Sequence, residues 1–281
     1  PPRSTPKPSS AASDVYKRQV YSPENGVTPY GLYFDLPFSD GPNPNPNPGP
    51  TPDQDAWTVM VYVTTSDLDT YAHGDVNEME VAAAALPGTV NLAVLWDQSA
   101  WRQTYSTGNG TQPAWGTTGR ALMSADSNMN QVATSFELLA EQNTGDAAAL
   151  QDFVTWAVSE APAERYALLL WDHGSGLYGS NYDYYDSHAS DHLFTSELVT
   201  ALADPGMPEL DLLAYDACLM AMTEVGFSLR DYADVFVASQ EVVSVFGYDY
   251  TTMFEVLESD PYSVLSLIHI SEPTRRTPIS Y

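Results

Sequence analysis

The chain has few basic residues and a single cysteine. Its 281 residues include ten lysines and arginines against thirty-seven acids, which gives a formal net charge of −27, and Cys218 is the one cysteine. Nucleic-acid binding requires clustered Lys and Arg, so we expect no nucleic-acid partner. One cysteine excludes an internal disulfide. No apolar run approaches the roughly 18 to 20 residues of a membrane span, so no transmembrane segment is predicted.

The two ends of the chain differ from the part between them. Residues 14–19 can be encoded by GATGTGTATAAGAGACAG, and the reverse complement of that string encodes residues 265–270. Because complementary ends are typical of a translated sequencing adapter, we interpret residues 1–19 and 265–281 as non-native. The part between them keeps four arginines and no lysine against thirty-five acids. Such a charge favours solubility and attracts basic peptides.

Composition divides the remaining chain into three segments. Residues 20–39 are interpreted as the end of an upstream segment of unknown role. Residues 40–55 are rich in Pro and Asn, cannot form regular backbone ladders, and are predicted to be an extended linker. Residues 56–264 form the main domain, which we expect to be incomplete at its C-terminus. Linkers of this kind often hold an exported domain off a surface, so we expect a secreted or cell-surface protein of a bacterium or archaeon.

From residue 57 onward the sequence alternates between strands and helices. Strands are predicted at 57–63, 90–97, 165–172, 210–216 and 235–239, and helices at 69–85, 131–142, 147–158, 196–203 and 220–231. This alternation predicts an α/β/α sandwich with a mostly parallel central sheet. Ligands bind at the carboxyl ends of the strands in such sheets. The sequence carries no signal for an oligomeric state.

Two of the apolar strands end at residues suited to nucleophilic catalysis. One is followed by His173 and Gly174, and another is followed by Cys218. A thiol needs a neighbouring base to become a nucleophile, and histidine is the usual one, so we expect both side chains to face one groove. Backbone N–H groups of Gly174 and Cys218 are candidate oxyanion donors. Asp172 could orient the His173 ring, or it could cap the following turn.

Several short motifs, in this order, resemble the clostripain family of cysteine peptidases. They are the strand at 57–63, Ser-Asp-Leu-Asp at 66–69, Asn-Glu-Met at 77–79, Leu-Leu-Trp-Asp-His-Gly-Ser-Gly at 169–176, Tyr-Asp-Ala-Cys-Leu-Met at 215–220, Glu-Val at 224–225, Arg-Asp-Tyr-Ala-Asp at 230–234 and Val-Ala-Ser at 237–239. The resemblance covers about residues 57–250. It implies a caspase-like fold, a dyad of His173 and Cys218, and an endopeptidase that prefers Arg or Lys before the scissile bond.

The resemblance also suggests substrate-binding residues. It implies that Asp216 helps to form the pocket for the basic side chain, although an acid at a strand end can also cap a turn. Ser239 and Glu241 lie where the substrate-lining segment is expected, and a solvated loop acid is the alternative for Glu241. The stretch 242–249 departs from the Gly- and Asp-containing pattern of the family, which weakens the forecast of a strict preference. Residues 177–197 contain no Lys or Arg, so we expect no self-cleavage there.

The sequence also bears on three other chemistries. His188 and His192, beside Asp186 and Asp191, could mimic a zinc pair, but the surrounding sequence is typical of a loop. Calcium is the better candidate ion, since carboxylate-rich loops suit it and some members of the family need it, and the peptidase chemistry requires no cofactor. Ser175 does not fit the Gly-x-Ser-x-Gly elbow of serine hydrolases. The alternative function is a catalytically silent exported module that binds peptide or carbohydrate.

Overall fold

The computed structural model describes residues 31–35, 55–65, 67–99, 104–107, 110–128, 130–184 and 191–259. Both adapter-like ends, nearly all of the predicted linker, and the candidate metal ligands Asp186 and His188 lie outside the described residues.

An eight-stranded sheet runs through the centre of the described structure. In spatial order its strands are Gly31–Asp35 (β1), Ala233–Ser239 (β12), Leu210–Asp216 (β11), Ala163–Trp171 (β8), Asp55–Thr64 (β2), Val90–Asp97 (β3), Thr118–Leu122 (β6) and Glu137–Leu138 (β7). The five strands from β12 to β3 are mutually parallel, β1 pairs antiparallel with β12 at one edge, and β6 and β7 continue the sheet by antiparallel pairing at the other. Two hairpins lie outside this sheet, Thr104–Thr107 (β4) with Gly110–Pro113 (β5), and Ser180–Asp183 (β9) with Asp191–Leu193 (β10).

Helices cover both faces of the sheet, as the sequence predicts. Asp69–Ala85 (α1) and Tyr250–Ser259 (α5) pack on one face, and Ala147–Glu160 (α2), Thr195–Leu202 (α3) and Thr223–Leu229 (α4) pack on the other. A short 3₁₀ turn spans Gly176–Tyr178. The predicted α/β/α sandwich with a mostly parallel sheet is therefore confirmed. No helix in the described part of the chain is long and apolar enough to cross a membrane.

The central strands are apolar along their whole length because both of their faces are covered. In β2, Val59 and Val61 face the core under α1, whereas Met60 and Tyr62 face the core under α2, and all four are fully buried. Successive side chains of a strand point to opposite faces, so a strand buried on both sides has no polar alternation. The unbroken apolar runs in the sequence therefore predict central strands correctly.

The helix predicted at 131–142 is wrong. The segment is largely irregular and contains only the two-residue strand β7, which pairs with β6. The carboxyl group of buried Glu80 in α1 accepts hydrogen bonds from Ala133 N (2.8 Å), from Thr134 N (2.5 Å) and from the Thr134 hydroxyl (2.5 Å). These long-range bonds replace the local N–H partners that a helix would supply, so tertiary contacts override local propensity.

The loop held by Glu80 gives a test of this account. Replacing Glu80 with Ala leaves two buried or partly buried N–H groups and a hydroxyl without their acceptor, so we expect the free energy of unfolding to fall by about 2–4 kcal/mol. Urea unfolding measures the change. Glu160→Ala, at the exposed end of α2, is the control, with an expected change within about 0.5 kcal/mol. Equal losses in the two variants would contradict the account.

Candidate active site

Sheet register brings the two candidate catalytic residues to neighbouring strand ends. Trp171 of β8 pairs with Asp216 of β11, so His173 and Cys218 each lie two residues beyond a paired position of adjacent parallel strands. Neighbouring strands lie about 4.8 Å apart. The Asp172 N–H, 3.4 Å from the Asp216 carbonyl oxygen, continues the pairing one step past the strands.

The His173 ring contacts a carboxylate from a third strand end. His173 Nε2 lies 2.8 Å from Asp67 Oδ1, with the two side chains 38% and 56% exposed. Asp67 lies between β2 and α1. The main chain of His173 is held separately, because its carbonyl oxygen accepts a hydrogen bond of 3.2 Å from Asn181 N. The ring is accessible to a bound molecule, and both its backbone and one ring nitrogen have fixed partners.

Of the two roles that the sequence leaves open for Asp172, its carboxyl group makes a backbone contact of the capping kind. Its Oδ2 accepts a hydrogen bond of 2.5 Å from Tyr182 N, and the residue is buried. Burial raises the pKa of Asp172 well above its ordinary value. This contact joins the two ends of the loop that contains His173, while the carboxylate at the His173 ring belongs to Asp67. In the sequence Asp67 stands out only as part of the Ser-Asp-Leu-Asp motif, and its place shortly after a central strand is the signal that could have identified it.

Cys218 is half-buried at the start of a sharp turn. Its Sγ accepts a hydrogen bond of 3.3 Å from Val243 N. Leu219, the next residue, has φ of +63°, a conformation that is uncommon without glycine. Two backbone bonds hold this turn against the end of β12, from Leu219 N to the Glu241 carbonyl (3.1 Å) and from Ala221 N to the Ser239 carbonyl (2.9 Å). The segment after β12 therefore partly covers the sulfur.

Gly174 brings the two strand ends into backbone contact. A Cβ placed there would overlap the carbonyl oxygen of Cys218 and lie 3.0 Å from the Ala217 side chain, so the position requires glycine. Gly174 forms an isolated antiparallel bridge with Ser180. Both hydrogen bonds across this bridge come from flanking residues, Ser175 N to the Gly179 carbonyl and Asn181 N to the His173 carbonyl. The N–H of Gly174 therefore takes no part in the bridge.

Asp216 lies below this surface with its carboxyl group already bound. Its Oδ2 accepts hydrogen bonds from Tyr248 N (2.8 Å) and from the Tyr250 hydroxyl (3.1 Å), and burial raises its pKa to about 6. Gly247, at φ +58°, passes so close that a Cβ there would lie 2.6 Å from Asp216 Oδ2 and 2.8 Å from Asp75 Oδ2. Two carboxyl groups thus converge beneath a glycine in the segment that also contacts Cys218.

The remaining predicted substrate residues lie at the end of β12. Ser239 Oγ donates to the Glu241 carbonyl (3.0 Å) and accepts from Glu241 N (3.2 Å), while the Glu241 side chain is exposed. Val242, Val245 and Phe246, which follow, are also exposed. The structure therefore brings Cys218 and this segment together through backbone contacts, with an apolar surface at its outer edge.

Of the four candidate zinc ligands, the structure describes His192 and Asp191, and both side chains have other partners in the protein. His192 stacks on Tyr182 with ring centroids 4.6 Å apart, and its Nε2 lies 3.0 Å from the Tyr178 carbonyl oxygen. Asp191 accepts a hydrogen bond from Asn143 Nδ2. Among the described residues there is no group of three or more His, Cys, Asp or Glu side chains that could hold a metal ion.

Comparisons with known protein sequences identify similar proteins. The family model described as the clostripain family matches residues 61–271. Clostripain from Hathewaya histolytica is 30% identical over 138 residues, which cover 42% of this chain and 26% of that protein. The chain thus spans about a quarter of the curated relative that it matches.

Two solved structures have a similar architecture. A secreted C11 cysteine protease from Bacteroides thetaiotaomicron, in complex with an irreversible peptide inhibitor, superposes with a TM-score of 0.59 at 24% identity, over 77% of this chain and 57% of that one. An inactive zymogen C11 protease from Parabacteroides distasonis gives 0.59 at 19% identity, over 80% and 59%. At these identities the likeness shows the fold, and the expected caspase-like architecture is confirmed.

The buried carboxyl of Asp216 makes stability depend on pH. Because its pKa is about 6 in the folded protein against 3.8 ordinarily, its stabilising contribution is full below about pH 4 and is lost as pH rises through 6. The full loss is about 2–3 kcal/mol. Asp216→Asn removes the titrating carboxyl group. Between pH 4 and 7 the free energy of unfolding of the wild type, measured with urea, should therefore fall by this amount relative to that of the variant. Glu160→Gln should parallel the wild type. Parallel curves for Asp216→Asn would contradict the assignment.

Proposed function

The chain belongs to the clostripain family, and from this premise we propose that it is a cysteine endopeptidase in which Cys218 is the nucleophile and His173 the acid–base. The observation that supports the proposal most directly is the position of the two residues at adjacent parallel strand ends, with Gly174 packed against the Cys218 backbone. The partial exposure of both residues is consistent with this role.

In the proposed reaction the Cys218 thiol gives its proton to His173, and the sulfur bonds to the peptide carbonyl carbon. The N–H groups of Gly174 and Cys218 stabilise the oxyanion, for which Gly174 is suited because its N–H is not used in the bridge with Ser180. His173 then protonates the amine as the carbon–nitrogen bond breaks. Water hydrolyses the thioester and restores the thiol. Apart from this water, the steps use only side-chain and backbone groups of the chain.

We propose a basic side chain before the scissile bond. Asp216 and Asp75 converge beneath Gly247, close to the turn that carries Cys218, and a paired carboxyl site in an acidic protein favours an Arg or Lys side chain electrostatically. Ser239 and Glu241 would line the approach. The segment from Val243 to Gly247 now covers both the sulfur and the Asp216 carboxyl, so this binding requires the segment to move outward.

The proposed substrates are proteins and peptides, and the proposed location is outside the cell. A proline-rich linker before the domain and a secreted protease among the similar structures support export. Calcium would act as a structural ion rather than in the chemistry.

The dyad can be tested with a thiol-directed peptide reagent. Because Cys218 is the only cysteine, a peptidyl-arginine chloromethyl ketone should add one label by mass spectrometry, and no label in Cys218→Ala. His173→Ala should slow labelling about 100-fold. A wild-type rate equal to that of free cysteine would instead favour the silent binding module.

Cleavage specificity tests the role of Asp216 separately. In a denatured protein mixture analysed by mass spectrometry, we expect Arg and Lys to dominate the residue before each cut. Asp216→Asn should lower the ratio of basic to other sites about tenfold, which corresponds to about 1.4 kcal/mol, and the wild-type preference should fade below pH 6 because the carboxyl is then protonated. Glu160→Gln is the matched control. Cleavage without basic enrichment would overturn the specificity proposal and leave the peptidase proposal intact.

A further inference from the structure

We propose that Asp67 is the positioning residue for the His173 imidazole, which makes the proposed site a three-residue arrangement rather than a dyad. This inference rests on the proposed peptidase function. It is carried by the contact of 2.8 Å between Asp67 Oδ1 and His173 Nε2.

Sheet topology places Asp67 beside the ring. β2 lies next to β8 in the parallel sheet, and Val63 pairs with Trp171. The segment that follows β2 therefore leaves the sheet on the same side as His173, one strand away from it. Asn181 strengthens the connection between these two strand ends, because its Nδ2 lies 3.2 Å from Thr64 Oγ1 and 3.3 Å from the Trp171 carbonyl oxygen. Both segments that carry the contact are thus fixed at their bases.

The contact fixes the ring nitrogen that carries the proton. A carboxylate can only accept, so Nε2 is the protonated nitrogen of the neutral ring, and Nδ1 retains the lone pair that receives the thiol proton. After that transfer the ring is positively charged, and the Asp67 carboxylate stabilises it at hydrogen-bond distance. Asp67 therefore acts on orientation and on charge, and it does so through His173 without touching the substrate.

The second nearby acid is unsuited to this task. Asp172 is 4% exposed, and its Oδ2 is bound to Tyr182 N. Burial raises the pKa of Asp172 well above the ordinary value, whereas the Asp67 side chain is 56% exposed to solvent. Solvent screens the Asp67–His173 attraction, so the effect of removing Asp67 should be smaller than for a fully buried acid.

The kinetic test uses four substitutions and a peptidyl-arginine amide substrate. Asp67→Ala should lower kcat about 10- to 100-fold and change KM less than about twofold. Asp67→Asn, which keeps a carbonyl oxygen for the Nε2 proton but no charge, should recover part of the loss. Glu160→Ala, which also removes one surface carboxylate, should match the wild type. An unchanged kcat in Asp67→Ala, or a loss seen in Asp172→Asn alone, would overturn the inference.

A second measurement does not depend on activity. In protein labelled with ¹⁵N-histidine, long-range ¹H–¹⁵N spectra in mildly alkaline solution report which ring nitrogen carries the proton, and His173→Gln identifies the signal. We expect the Nε2–H form to predominate in the wild type and in Glu160→Ala, and the Nδ1–H fraction to increase in Asp67→Ala. An identical spectrum in Asp67→Ala would refute the positioning role. A protein that neither cleaves nor labels, but shows the expected spectra, would refute the peptidase proposal alone.

Discussion

The parallel pairing of β8 with β11 is the constraint on which the rest of the site depends. It brings the ends of two apolar strands level, with Trp171 opposite Asp216, and everything that follows is attached to those ends. The absence of a side chain at Gly174 lets the two following loops touch. A shift of one residue in this register would turn each strand's side chains to the opposite face and separate the loops. Burial of both faces under helices is what fixes the register so firmly.

Buried carboxyl groups have a second organising role in this acidic chain. Basic partners are scarce, so several acids are bound by backbone N–H groups of distant loops instead of by ion pairs. Glu80 binds Thr134 N, Asp172 binds Tyr182 N, and Asp216 binds Tyr248 N. Each such contact ties an irregular segment to a helix or strand end. For Asp172 and Asp216, burial raises the pKa. The loops near the proposed nucleophile are therefore tied to carboxyl groups that become protonated at a higher pH than exposed acids do.

Prediction from sequence succeeded for strands whose apolar pattern is dictated by burial. It was incomplete for segments whose conformation is decided by contacts with distant residues. The strands at 90–97 and 210–216 have the predicted bounds, because an apolar run between two helical layers has few alternatives. The helix predicted at 131–142 is wrong because Glu80, more than fifty residues earlier, binds its backbone. For Asp172 the sequence left two roles open, and only the structure places its carboxyl at Tyr182 N while Asp67 contacts the His173 ring.

The sequence by itself determined the α/β class, most of the central strands, and the placement of His173 and Cys218 after strands. These follow from local apolar periodicity and from the rule that residues after parallel strands share one edge of a sheet. Only the tertiary structure decided which acid contacts the imidazole, that the segment around Val243 covers the sulfur, and that Asp216 is bound beneath Gly247. Those features depend on strand order and loop direction, which come from packing among segments far apart in the chain and leave no periodic signal within any one of them.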